Sequence, residues 1–254
     1  MELPKNKFKA ALGRPQIGFW CSLANAYAAE IIAGAGYDWL LLDTEHAPAD
    51  LETVLRQLQA VAAYDVAPIV RPASNDAVLI KRYLDIGVQT LLIPYVQSAE
   101  EARRAVAATR YAPAGMRGVA AAMRASGFGR VANYARDAAK ELCVLVQVET
   151  REALTVLEQI ASVDGVDGIF IGPNDLAASL GHAGDPGHES VRAAIEGAIK
   201  RIVALGKPCG ILSPDLAYAK RAMGLGVSFA AIGGDVALLA RGSENLLAQF
   251  RAAP

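Results

Sequence analysis

The chain has 254 residues, with 25 Lys and Arg against 26 Asp and Glu, for a formal net charge of −1. That balance offers no electrostatic basis for binding nucleic acid or an anionic membrane surface. The opening Met1-Glu2-Leu3-Pro4-Lys5-Asn6-Lys7 lacks the apolar stretch of a secretion signal, and no apolar run is long enough to span a bilayer.

Cys21, Cys143 and Cys209 are odd in number and scattered. They read as buried thiols in a reducing compartment rather than as a disulfide frame or a zinc site. The expectation is a soluble, cytoplasmic chain forming one domain over residues 1–254.

Short apolar segments alternate with amphipathic ones along the chain. The strand candidates are Ile17–Trp20, Trp39–Asp43, Pro68–Arg71, Thr90–Pro94, Val144–Glu149, Gly168–Ile171, Cys209–Leu212 and Ser228–Ile232. Helices are expected over Ala26–Ala35, Asp50–Ala63, Asp76–Ile86, Ala99–Thr109, Arg151–Ser162, Val191–Leu205 and Leu216–Gly224, with a last one over Val236–Phe250. Ser98 and Ser190 look like helix caps, and Gly36, Gly87 and Gly206 like helix stops. Strict strand-then-helix alternation predicts an α/β fold with a parallel sheet. Eight repeats in this length fit a (β/α)8 TIM barrel, with a doubly wound open sheet as the structural alternative. One connection, from Tyr111 to about Lys140, is too long for a simple turn and is rich in Gly and Arg.

In such barrels chemistry sits where the strands end. The second strand ends in Asp43-Thr44-Glu45-His46, the third in Arg71, the fifth in Gln147 and Glu149, and the sixth in Gly172-Pro173-Asn174-Asp175. The seventh ends in Leu212-Ser213 and the eighth in Gly233-Gly234-Asp235. Glu149 and Asp175 follow neighbouring apolar strands, so two hard oxygen ligands would emerge side by side, which suits a divalent cation. The bland alternative for each is a helix cap. On an extended segment Asp43 and Glu45 share one face and His46 takes the other. Arg71 either closes the rim in a salt bridge or receives an anion. Asp85, near the end of a helix, reads as solvated or capping, and His182 and His188 in a Gly-rich loop as solvated. No lysine falls at a strand's carboxyl end, which argues against Schiff-base chemistry. Gly233-Gly234 could cradle a phosphate, but Asp235 would repel it.

The segments Phe8-Lys9-Ala10-Ala11-Leu12, Gln16-Ile17-Gly18-Phe19-Trp20 and Gly36 through Pro48 resemble the HpcH/HpaI aldolases. The likeness continues through Val70-Arg71-Pro72, Leu84-Asp85-Ile86-Gly87, Gly115-Met116-Arg117-Gly118, Gln147-Val148-Glu149-Thr150 and Gly168 through Pro173. The resemblance implies a metal-dependent (class II) pyruvate aldolase. Such an enzyme cleaves 4-hydroxy-2-oxoacids to pyruvate and an aldehyde through a metal-bound enolate. It implies Glu149 and Asp175 as ligands of Mg²⁺, Mn²⁺ or Co²⁺, with no organic cofactor. It implies His46 as general base with Asp85 raising its basicity, and Arg71 as the enolate stabiliser. Arg71, Gln147, Gly172, Asn174 and Leu212 become the substrate contacts. A hexamer built as a trimer of dimers, with C-terminal helices exchanged, is implied as well. Thr44 departs from the family pattern, which has Gly between the Asp and the Glu-His, and Asn174 stands where a small residue is expected. The competing readings are a 2-dehydro-3-deoxyglucarate-type aldolase, an oxaloacetate decarboxylase, an acyl-CoA lyase, and a non-catalytic oxoacid-binding protein.

Overall fold

The computed structural model describes residues 1–252, so the last two residues of the expected domain, 253 and 254, lie outside it. Eight parallel strands close on themselves in chain order: β1 (Gln16–Cys21), β2 (Trp39–Asp43), β3 (Ala67–Arg71), β4 (Thr90–Ile93), β5 (Cys143–Val148), β6 (Gly168–Ile171), β7 (Cys209–Leu212) and β8 (Phe229–Gly234). All eight coincide with the sequence expectation to within two residues at each end. The open-sheet alternative is set aside by the pairing of β1 with β8, which carries a register shift between Gly18 and Trp20.

The helices are α1 (Lys7–Ala10), α2 (Ala26–Ala33), α3 (Leu51–Val61), α4 (Ala77–Asp85), α5 (Ala99–Thr109), α6 (Tyr134–Asp137), α7 (Arg151–Thr155), α8 (Leu157–Ala161), α9 (Pro173–Ser179), α10 (Glu189–Ala204), α11 (Leu216–Gly224) and α12 (Asp235–Ala252). Ser98 caps α5 as expected. Three expectations change. The helix expected over Arg151–Ser162 breaks at Val156, whose backbone (φ −117°, ψ 21°) is not helical. The helix expected from Val191 begins two residues earlier and is capped by His188, which accepts from the Ser190 amide. α1 and α9 were not foreseen, because neither is long enough to show a period. Pro173 fixes the first turn of α9.

The apolar runs are continuous because strand residues alternate between two buried faces. Leu40, Leu42, Val70, Leu91, Ile93, Val144, Val146, Ile169 and Ile171 face the helices. Trp39, Leu41, Ile69, Leu92, Leu145, Phe170 and Phe229 fill the barrel. Space inside is tight: a Cβ on Gly210 would stand 2.1 Å from the Phe229 ring. Phe8 of α1 plugs the amino-terminal end of the barrel, edge-on to Phe229 (centroids 5.4 Å apart) and Trp39 (6.1 Å). Among the described residues no helix is long and apolar enough to cross a membrane. The three cysteines are buried and unpaired.

The long connection runs from the end of α5 to the start of β5, so it lies at the barrel's amino-terminal end. Arg117, Arg124 and Arg130 are carried there, away from the strands' carboxyl ends. Arg124 donates to the Ile86 carbonyl (2.6 Å). Arg130 donates to the Gly127 carbonyl (3.0 Å).

Phe8→Ala should lower the unfolding free energy by about 3–5 kcal/mol, because it empties a fully enclosed site ringed by aromatics. Urea denaturation measures this, and a loss below about 1 kcal/mol would show that the plug is dispensable.

Candidate active site

The side-chain parity that fills the barrel also builds its polar end. Continuing inward alternation past Leu41, Ile69 and Leu145 gives Asp43, Arg71 and Gln147, then Glu149. All four are buried, and Asp43 and Arg71 are direct partners in the β2–β3 register.

Arg71 is the centre. Its Nε donates to Asp43 Oδ1 (2.9 Å) and its Nη2 to Asp43 Oδ2 (2.8 Å). Nη1 lies 2.8 Å from Glu45 Oε2 and 3.4 Å from Gln147 Oε1. The guanidinium sits over the Trp20 ring, 5.0 Å from its centroid. Asp43 Oδ2 also accepts from Trp20 Nε1 and Ser22 Oγ, both at 3.3 Å. Burial opposes an ionised Asp43, but the bonds and charge of Arg71, joined by bonds from the Glu45 amide and Trp20, together outweigh it and hold its carboxyl below the usual range.

Glu149 stands in the opposite balance. Oε1 accepts from the Tyr95 amide (2.8 Å) and Oε2 from Gln147 Nε2 (2.6 Å). Its carboxyl is pushed up to about 7, first by burial and then by the neighbouring Asp175 and Glu45 carboxylates, against the Tyr95 bond and Arg71. Tyr95 presents that amide from a left-handed backbone (φ 55°), a local cost that places a donor on the site. Gly172 has no Cβ because one would stand 2.1 Å from Glu149 Oε2. Asp175, in the first turn of α9, is exposed, as is Asn174 beside it. Leu212 ends β7 on the inner face.

Asp43 and Glu45 pair with the Arg71 guanidinium, and Glu149 has the Asp175 and Glu45 carboxylates as neighbours. That excess of negative charge, with one carboxyl raised to about 7, fits a divalent cation held by oxygen ligands. Among the described residues no three His, Cys, Asp or Glu are already drawn together as a metal cage. Glu149 and Asp175 would supply two ligands only, leaving the remaining positions to substrate and water.

The other expected residues divide. His46 is exposed, and its Nε2 lies 3.8 Å from Glu45 Oε2. Asp43 and Glu45 do share a face, since both reach Arg71, but His46 turns toward Glu45 and not away from it. Bends follow β2, so strand alternation lapses there. Asp85 is not beside His46 within one chain. α4 runs from the carboxyl end of β3 back toward the start of β4, which puts Asp85 in its last turn at the opposite end of the barrel. There it accepts from the enclosed Arg117 (2.7 Å), whose guanidinium lies 4.6 Å from the Tyr111 ring centroid. Asp235 is engaged too, accepting from the Ser22 (2.8 Å) and Leu23 (3.0 Å) amides, so Gly233-Gly234 is not an open phosphate cradle. His188 is exposed, as expected, whereas His182 is half-buried, its ring stacked 3.6 Å from that of His188. Sequence reading missed Trp20, Ser22 and Tyr95. Counting strand parity onward from the core would have found the first two.

The fold and this rim define a barrel enzyme with its polar site at the carboxyl ends of the strands. Residues 16–242 match the HpcH/HpaI aldolase/citrate lyase family, and the chain belongs to that family. It is a carbon–carbon lyase. It is 66% identical over 252 residues to a pyruvate aldolase of Rhizobium etli, covering 98% of this chain and 99% of the relative. It is 59% identical over 251 residues to a 4-hydroxy-2-oxo-heptane-1,7-dioate aldolase of Salmonella heidelberg, covering 98% and 95%. A crystal structure of a family protein from Burkholderia cenocepacia superposes with a TM-score of 0.93 at 38% identity, covering 98% of this chain and 100% of that one.

The raised carboxyl has a sign that can be measured. Between its ordinary 4.5 and about 7, folded Glu149 keeps a proton that the unfolded chain releases. Its contribution to stability is full below 4.5 and is lost as pH rises through about 7. In metal-free protein, Glu149→Gln should raise stability at pH 8 by roughly 1–3 kcal/mol, with a much smaller gain at pH 5. Urea unfolding at both pH values tests this, and an equal effect at each would contradict the charge argument.

Proposed function

We propose that the protein is a class II pyruvate aldolase that cleaves a 4-hydroxy-2-oxoacid to pyruvate and an aldehyde, and runs the reverse addition. The observation that carries this reading is the buried Arg71 beside a carboxylate group left short of positive charge. The names of the relatives at 66% and 59% identity support it. Glu149 and Asp175 would hold a divalent cation, with Mg²⁺, Mn²⁺ and Co²⁺ the candidates. Bound there, it would supply Lewis-acid polarisation of the substrate's keto group.

The chain's own residues account for the rest. Gln147, Gly172, Asn174 and Leu212 border the place where the oxoacid lies. Arg71 has five N–H donors, and its contacts to Asp43, Glu45 and Gln147 leave one Nη2 hydrogen for substrate. That donor faces the oxygen on which negative charge develops. In cleavage, the base at His46 takes the C4 hydroxyl proton. The C3–C4 bond breaks, its electron pair flows to the keto oxygen, and the aldehyde departs. A proton returned to C3 completes pyruvate. Glu45 lies beside the His46 ring and fixes its orientation through the Nε2–Oε2 contact.

Asp85 can serve His46 only across a subunit boundary, because the two lie at opposite ends of one barrel. α12 buries only Asp235 and leaves Leu238, Leu239, Leu246, Leu247 and Phe250 exposed. This apolar face fits the hexamer with exchanged C-terminal helices. The acyl-CoA alternative loses support, since Arg117, Arg124 and Arg130 do not line the same chain's mouth.

Deuterium exchange into the methyl group of pyruvate, followed by NMR, tests the function without knowing the aldehyde. Exchange should require an added divalent cation and vanish in Glu149→Ala. Arg71→Lys should slow it by about 10²–10³-fold, as loss of an oxyanion donor does. No exchange with any of the three metals would overturn the assignment. For the shared site, mixing inactive His46→Ala with Asp85→Asn subunits should restore part of the activity. No recovery after subunit exchange would refute a role for Asp85 in trans.

A further inference from the structure

Thr44 stands where the resemblance leads one to expect glycine, and the structure shows where its extra atoms go. The side chain is buried and does not reach the aldehyde side of the mouth. Its Oγ1 donates to the Arg71 carbonyl (2.6 Å), and its own amide donates to the same oxygen (3.0 Å). Both lone pairs of that carbonyl are thereby filled by one residue. Tyr83, buried in the last turns of α4, donates its hydroxyl to Thr44 Oγ1 (3.1 Å).

Three consecutive residues thus close around one arginine. Asp43 and Glu45 hold the guanidinium, and Thr44 between them holds the carbonyl. With glycine at position 44 the amide bond could remain, but the hydroxyl bond and the tie to α4 could not. The loop after β2 makes no regular structure of its own, so these bonds fix where Glu45 and His46 leave the strand.

We infer that Thr44 and Tyr83 form a clamp that positions Arg71, Glu45 and His46 for the reaction. Both are positioning residues, since neither touches the place where substrate would lie. The clamp rests on the aldolase reading for its catalytic consequence but not for its geometry. A relay of hydroxyls in a dry site strengthens each bond in turn, and small errors in the placement of a catalytic donor cost rate far more than binding.

The test compares Thr44→Val, which keeps the shape and loses the hydroxyl, with Tyr83→Phe, Thr44→Ser and the Thr44→Val/Tyr83→Phe pair. In pyruvate deuterium exchange, Thr44→Val and Tyr83→Phe should each lower kcat about tenfold and leave KM within about twofold. Thr44→Ser should restore the rate. The double variant should fall no further than Thr44→Val, because the two act as one unit. Wild-type kcat in both single variants, whatever their melting temperatures, would overturn the inference and leave only a packing role. Tyr83→Phe removes one oxygen and serves if Thr44→Val does not fold. A second reading needs no substrate: the NMR signal of the Arg71 Nε–H should exchange with solvent faster in Thr44→Val and Tyr83→Phe. If the wild type fails to enolise pyruvate, the aldolase reading falls and this signal alone decides the clamp. An unchanged exchange rate then overturns it.

Discussion

Everything at the carboxyl end of this barrel is arranged around one buried positive charge. The Arg71 guanidinium is out of water, and removing a charge from water costs several kcal/mol unless it is paired and hydrogen bonded. Asp43 meets that requirement with two bonds from the neighbouring strand, and Glu45 and Gln147 take up the rest. Removing either carboxylate would leave a charge uncompensated, so the group behaves as a unit. Because β2 and β3 are adjacent and in register at Asp43 and Arg71, the pairing needs no loop to make it.

The consequence reaches across the site. Gln147 gives its oxygen to Arg71 and its amide to Glu149, so the ordering of the guanidinium passes to a carboxylate of the opposite character. Asp43 is stabilised as an anion, whereas burial and the neighbouring carboxylates push Glu149 up to about 7. Two acids tied to the same arginine, one directly and one through Gln147, thus differ in charge state. One is a permanent counter-ion. The other gains from any cation that arrives.

The amino-terminal end is built by another logic. α1 plugs it with Phe8, and the long connection between α5 and β5 fills it with its own contacts. Arg117 is enclosed there, paired with the partly exposed Asp85, and its Nε and Nη1 have no hydrogen-bond partner. The barrel thus keeps its acid-rich polar rim at one end and a buried arginine, paired with a partly exposed aspartate, at the other.

The eight strands were legible because both faces of each are buried, which turns a strand into an unbroken apolar run that few other structures produce. The rim residues were legible because each sits where such a run stops: Arg71, Gln147, Glu149 and Asp175 all follow from that rule. Helix breaks and short helices such as α1 and α9 were not legible, since fewer than two turns show no period. Alternation could not orient His46, because it lapses once the chain bends away from β2. Nor could the sequence place Asp85, whose position depends on the direction in which α4 crosses the barrel. What the sequence determined was the order of the strands and the chemistry at their ends, both written in local patterns. What tertiary structure decided was the partner of each charge, because a carboxylate's role depends on the water it loses and the cation it faces, and both come from distant parts of the chain.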